Sequence, residues 1–119
     1  MKRTIKPAEG KLMVFIPGMG AITSTVLAGI FNIRKGLSKP IGSVTQMGRI
    51  RLGKRTDNKS PLIKEFVPLV SIDNLEFAGW DVFEDNMYEA AKKADVVLPK
   101  HLDPIKEEMK AIKPMSAVF

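Results

Sequence analysis

The first patterned stretch of the chain is Lys11-Leu12-Met13-Val14-Phe15-Ile16, a short apolar run ended by Pro17-Gly18. It lacks the polar alternation of a half-exposed strand, so it predicts a strand buried on both faces, in the middle of a parallel sheet. Small and hydroxylated residues follow, and then Val26, Leu27, Ile30, Phe31 and Leu37 recur at the spacing of a helix packed on a sheet. Thr23, Ser24 or Thr25 would cap that helix, Arg34 and Lys35 suit its negative end, and Gly36 can take the left-handed conformation that stops it.

From Ser38 to Asn74, glycines, prolines and charges interrupt any helical period, although Ile41 to Leu52 fits a short strand and Leu62 to Leu69 a second apolar piece. Leu75-Glu76-Phe77-Ala78-Gly79-Trp80-Asp81-Val82-Phe83 resumes a strand pattern whose polar end falls at Asp81. Asn86 and Glu89 have capping-box spacing, and Met87, Ala90, Ala91 and Ala94 share the face of the helix they predict. Asp103-Pro104 reads as an N-cap with proline at the first helical position, followed by a buried stripe of Leu102, Ile105, Met109 and Ile112 up to Pro114. The apolar ending Met115-Ser116-Ala117-Val118-Phe119 leads us to expect that the native polypeptide continues. No internal repeat or low-complexity segment is visible. The expected fold is α/β: a partial Rossmann-like parallel sheet with flanking helices in one domain over 1–119, with 38–74 as a long insertion after the first helix.

Composition narrows the class. With 119 residues, 45% hydrophobic and 27% charged, the chain suits one globular domain. Its apolar runs fall far short of the roughly 18 to 20 residues a membrane span needs, and the basic start, Met1 to Pro7, is not followed by a secretory apolar core. A cytoplasmic location is expected. The absence of cysteine excludes disulfides, a thiolate nucleophile and a cysteine-bound metal, and a single histidine, His101, cannot build a multi-histidine site. Net charge is +6, and between Ser38 and Asn74 seven basic residues against three acidic ones account for +4 of it. The basicity is therefore regional, and it invites an anionic partner.

Gly18-Met19-Gly20, between a predicted strand and a predicted helix, suits a turn whose backbone N–H groups face a pyrophosphate. The third glycine of the dinucleotide fingerprint is replaced by Thr23, so a tight turn chosen only for its backbone geometry fits the same residues. A ribose-binding acid ordinarily lies about 20 residues after the glycines. Asp81 lies 61 residues after Gly20, yet it ends the next strand if 38–74 is an excursion. Its other reading is a turn starter. Arg49, Arg51 and Arg55 with Lys54 alternate with apolar residues and in a strand would present charge to phosphates. No aromatic residue interleaves with them, which favours a solvated or subunit-facing strand over a nucleic-acid surface. His101 suits a surface or capping role, Glu84, Asp85 and Glu89 a helix-dipole role, and Lys92 and Lys93 a solvated one.

Three segments carry a family likeness: Gly42-Ser43-Val44-Thr45-Gln46, Arg51-Leu52-Gly53-Lys54-Arg55-Thr56-Asp57 and, most specific, Gly79-Trp80-Asp81-Val82-Phe83-Glu84-Asp85-Asn86-Met87-Tyr88-Glu89-Ala90-Ala91. In order and approximate spacing they resemble the N-terminal third of bacterial myo-inositol-1-phosphate synthases, over nearly all of Lys11 to Phe119. The resemblance implies NAD as cofactor, its pyrophosphate at Gly18, Gly20, Ala21, Ile22 and Thr23, and its adenosine ribose at Asp81 with Val82 beside it. Eukaryotic members have a glycine- and asparagine-rich turn, whereas Ala21, Ile22 and Thr23 match the shorter bacterial form. It also implies a homo-oligomer that isomerises glucose 6-phosphate to inositol phosphate, with catalytic residues in a later domain that these residues do not include. Two rivals stand beside it: a small basic module binding nucleic acid or phosphate, and an NAD-binding fragment of another oxidoreductase.

Overall fold

In a computed structural model, residues 9–117 are described together with Thr4 and Lys6. Strand β1 (Leu12–Pro17) leads into helix α1 (Ala21–Arg34). The connection from α1 to strand β2 (Leu75–Asp81) contains the short helices α2 (Val44–Met47) and α3 (Ile63–Phe66). Helices α4 (Met87–Ala94), α5 (Pro99–Leu102) and α6 (Lys106–Lys110) then precede a short strand, β3 (Met115–Ser116). The sheet has the order β1-β2-β3 and both pairings are parallel, with Leu12 opposite Leu75, Pro17 opposite Trp80 and Asp81 opposite Ser116. This is the α/β, partial Rossmann-like arrangement expected from the pattern.

The core lies between the sheet and its helices. Leu27, Ala28 and Phe31 of α1 meet Met87 and Ala91 of α4, Leu102, Ile105 and Met109, with Met19 and Phe77 closing the sheet side. Phe31 and Phe77 meet edge to face with ring centroids 6.5 Å apart. Parallel pairing puts Met13, Phe15, Pro17, Ala78 and Trp80 on the opposite face, where Phe15 stacks on Trp80 at 5.8 Å.

Several expectations change. Among the described residues β1 stands at the edge of the sheet, and Leu12, Met13 and Phe15 are about half exposed instead of buried on both faces. Among the described residues β1 pairs only with β2, so apolar composition there marks surface without a cover within this set. On α1 the buried stripe is Thr23, Ser24, Leu27, Ala28, Phe31 and Asn32, while Val26 and Leu37 are exposed. The helix starts at Ala21 with Gly20 as N-cap, so none of the three hydroxyls caps it. Thr25 Oγ1 instead bonds the Ala21 carbonyl at 2.7 Å. The C-terminal end matches expectation: Gly36 has φ +73°, its N–H donates to the Ile33 carbonyl, and the Leu37 N–H reaches the Asn32 carbonyl.

The strand expected within Ile41 to Leu52 is not formed. Val44–Met47 is a helical turn, and only isolated antiparallel bridges join Arg49 to Leu62 and Leu52 to Lys59. The Arg49 guanidinium donates to the Ser60 carbonyl at 2.8 Å, so the alternating charges do not form one strand face. Asn86 does cap α4, its Oδ1 accepting the Glu89 N–H at 2.9 Å. The third helical region begins earlier than expected, at Pro99, because proline at the first position presets the helical φ. Asp103, expected to cap it, is already helical at φ −55°, ψ −44°, and His101 falls inside α5. The stripe Leu102, Ile105 and Met109 is buried as expected. Val118 and Phe119 of the apolar ending lie outside the described residues.

Candidate nucleotide site

The site forms where β1 and β2 end side by side. Gly18 sits at φ +101°, a region L side chains rarely enter, which turns the chain out of the sheet toward α1. Both sides of this turn are fastened: the Gly18 N–H donates to the Trp80 carbonyl at 2.8 Å, and its carbonyl accepts Thr23 Oγ1 at 2.9 Å. Met19, between the two glycines, points inward and is 1% exposed. Its sulfur lies under Gly79, where an added Cβ would stand 2.0 Å from the Ile16 carbonyl oxygen and 2.9 Å from that sulfur. Gly79 therefore allows the close approach of β1 to β2 that brings the turn against Trp80 and Asp81. Gly20 differs, since a Cβ there would meet no protein atom within 4 Å.

The first intrahelical bond of α1 runs from the Ser24 N–H to the Gly20 carbonyl at 2.9 Å. Ala21, Ile22 and Thr23 thus have no acceptor within the helix, and no acidic residue occupies its first turn. A 14-residue helix adds its positive dipole end to these donors, a combination suited to an anion. Asp81 ends β2 on the adjacent strand. Its Oδ1 accepts the Val82 N–H at 2.7 Å, and its carbonyl accepts the Ala117 N–H at 3.0 Å beside β3.

A pocket of about 330 Å³ joins these parts, lined by Met19, Gly20, Ala21 and Asp81 and walled by Phe83, Asp85, Ala90, Lys93 and Ala94. Of the residues assigned by resemblance, Gly20, Ala21 and Asp81 are thereby brought together. Gly18 and Thr23 shape the turn behind them, Thr23 being buried, whereas the side chains of Ile22 (83% exposed) and Val82 (62%) are outside the lining. Mostly apolar walls with a few convergent polar groups are what a nucleoside requires, and the volume is at the small end for ligand pockets, enough for part of a dinucleotide. The residues present therefore fit the cofactor.

Phe83, Asp85, Ala90, Lys93 and Ala94 were not singled out as site residues from sequence. The signal for three of them was available: with Asn86 as cap, Ala90, Lys93 and Ala94 fall on one helical face by their three- and four-residue spacing. Lys93, expected to be solvated, holds Asp85 with Nζ 2.7 Å from Oδ2, and that bond to the carboxylate raises the lysine's pKa above its ordinary value. Among the described residues no group of histidine, aspartate and glutamate could hold a metal ion, and no helix is long and apolar enough to cross a membrane.

Comparison with known proteins places the chain in a family. An NAD-binding family model described as myo-inositol-1-phosphate synthase matches residues 12–119. Inositol-3-phosphate synthase 1 of Bacteroides thetaiotaomicron is 48% identical over 120 residues, covering 100% of this chain and 27% of the relative. An Arabidopsis thaliana inositol-3-phosphate synthase, isozyme 1, is 31% identical, covering 92% of this chain and 24% of its own. The crystal structure of inositol-3-phosphate synthase from Caenorhabditis elegans superposes with a TM-score of 0.77 at 26% identity, over 96% of this chain and 25% of that one. The chain spans about a quarter of the length of the relatives it matches. Matched along almost all of its length, and with the glycine turn and the end of β2 meeting in one pocket, the chain belongs to the myo-inositol-1-phosphate synthase family.

Proposed function

We propose that this chain is the N-terminal, NAD-binding portion of an inositol-phosphate synthase, with 1–119 forming part of one domain and 38–74 an excursion from it. The observation that carries the reading is the single pocket shared by Gly20, Ala21 and Asp81 at the ends of two adjacent parallel strands. Open space at Gly20 lets the pyrophosphate approach the backbone, and the N–H groups of Ala21, Ile22 and Thr23 with the α1 dipole hold its charge. Gly18 and Thr23 keep the turn in shape. The Asp81 carboxylate accepts the adenosine ribose hydroxyls, the Val82 N–H orients that carboxylate, and Phe83, Ala90 and Ala94 cover the adenosine.

In the complete enzyme the substrate is glucose 6-phosphate, converted by oxidation at C5, enolisation, aldol ring closure and reduction. NAD supplies the chemistry of taking up and returning the hydride. The part played by these residues is to bind and orient the cofactor. The enzyme is proposed to be a homo-oligomer of the cytoplasm. In the intact protein, Asp81→Ala should weaken NAD binding by roughly 10- to 100-fold, the scale of one or two hydrogen bonds to a charged acceptor, without lowering the melting temperature. Unchanged NAD affinity in that variant would remove Asp81 from the site.

A further inference from the structure

Lys93 is the one cation among the described residues lining the pocket, and it shares that pocket with Asp81. These two residues suit different dinucleotides. A carboxylate accepts the hydroxyls of an unmodified ribose, whereas a 2′-phosphate is held by a nearby cation. A pocket offering both would discriminate poorly unless one were occupied. Asp85, also in the lining, occupies the cation: its Oδ2 is 2.7 Å from Lys93 Nζ.

Asp85 stands immediately before the N-cap Asn86, and the long Lys93 side chain, leaning toward the start of α4 as helical side chains do, spans the eight positions back to it. The Lys93 side chain is 71% exposed and that of Asp85 28% exposed, so the pair sits at the pocket mouth and is not a buried strut. An exposed pair of this kind contributes little to folding. Its effect on a doubly charged phosphate arriving beside it is larger, because a bond between ammonium and phosphate is charge-assisted. Two carboxylates and one engaged ammonium leave the pocket with a net negative charge, which repels a 2′-phosphate.

We propose that Asp85, by engaging Lys93, is a selectivity-determining residue that restricts this pocket to NAD over its 2′-phosphorylated counterpart. The inference rests on the placement of the adenosine ribose at Asp81. Asp85 is a positioning residue, since it acts through Lys93.

The test is calorimetric titration of the intact protein with NAD and with NADP. Asp85→Asn should raise the affinity for NADP relative to NAD by about tenfold, the worth of one charge-assisted hydrogen bond. Asp85→Asn combined with Lys93→Met should lose that gain, which separates the release of Lys93 from a general loosening of α4. Asp85→Glu, which retains the carboxylate, should keep the original preference. An unchanged NADP-to-NAD ratio in Asp85→Asn, with NAD still bound, would overturn the inference and leave the ribose assignment standing. Failure of the unsubstituted protein to bind either dinucleotide would overturn both.

Discussion

Two glycines in the site make opposite predictions. At Gly79 a Cβ would stand 2.0 Å from the Ile16 carbonyl oxygen and 2.9 Å from Met19 Sδ, separations that real Cβ atoms essentially never show. Ile16 is the direct register partner of Gly79, so Gly79→Ala can be accommodated only by moving one strand off the other by roughly 1 Å. The expected cost combines overpacking, about 1 to 3 kcal/mol, with one or two weakened ladder hydrogen bonds at about 1 kcal/mol each. A total of roughly 2 to 5 kcal/mol is a large part of the stability of an ordinary domain, and corresponds to a melting temperature lower by at least about 4 °C.

At Gly20 the same methyl meets nothing within 4 Å, and φ there is −102°. Gly20→Ala should therefore change stability by no more than about 1 kcal/mol, the scale of an N-cap change. It should nonetheless weaken NAD binding at least about tenfold, because the methyl projects where the pyrophosphate meets the backbone. The assay is thermal unfolding and NAD titration of both variants in the intact protein. A Gly79→Ala protein melting like the original would refute the close approach of the two strands, and a Gly20→Ala protein binding NAD normally would refute the pyrophosphate placement.

Two further predictions concern the frame behind the pocket. Met109 is 0% exposed between α1 and α4, so Met109→Ala should destabilise by roughly 2 to 5 kcal/mol in equilibrium unfolding; a loss below about 1 kcal/mol would mean that the core around it is not close-packed. Glu108 has its pKa lowered from the ordinary 4.5, first by the hydrogen bond from Lys35, whose Nζ lies 2.7 Å away, and then by a backbone hydrogen bond. A depressed folded pKa means that this contribution is present above 4.5 and is lost as pH falls through the folded value. Glu108→Gln should consequently flatten part of the stability loss on acidification below 4.5, by at most about 1 kcal/mol for so exposed a pair, and an identical acid profile would show that the contact adds nothing.

The parts of the fold that were legible in the sequence are those set by local signals. The apolar run of β1, the stop at Gly36, the cap at Asn86 and the end of β2 at Asp81 each depend on a few adjacent residues, and each is found where expected. What was not legible depends on contacts across the chain. Apolar residues show that a surface needs covering but not which of them are covered, hence the exposure of Phe15 and Val26. Met19 reads as a filler between glycines until Gly79 is seen above it. The bond between Lys93 and Asp85 joins residues eight apart, a separation that no local pattern marks, and Arg51 and Lys54 fail to share a strand because a bridge at Arg49 and Leu62 takes the place of a continuous ladder. The Gly18–Thr23 turn and Asp81 were found from residue type and position, whereas the covering walls required the phase of α4.

Arg34 fastens the end of α1 to the start of β2. Its guanidinium donates to the carbonyls of Ile72 and Leu75 while lying over the rings of Phe31 and Phe77 at 5.4 and 5.9 Å. The end of α1 and the start of β2 are thus joined by one clasp, while Lys39, Ile41 and Gln46 of the intervening chain line a hollow with Val26, Ile30 and Ile33 of α1. Lengthening a loop whose ends are already joined costs only about 0.6 kcal/mol per doubling. The distance along the chain from Gly20 to Asp81 therefore reflects the length of the connection between α1 and β2, while the distance that matters to a nucleotide is the spacing of two neighbouring strands. A search for such sites by residue interval would pass over this one; a search for an arginine fastening the end of the first helix to the start of the second strand would not.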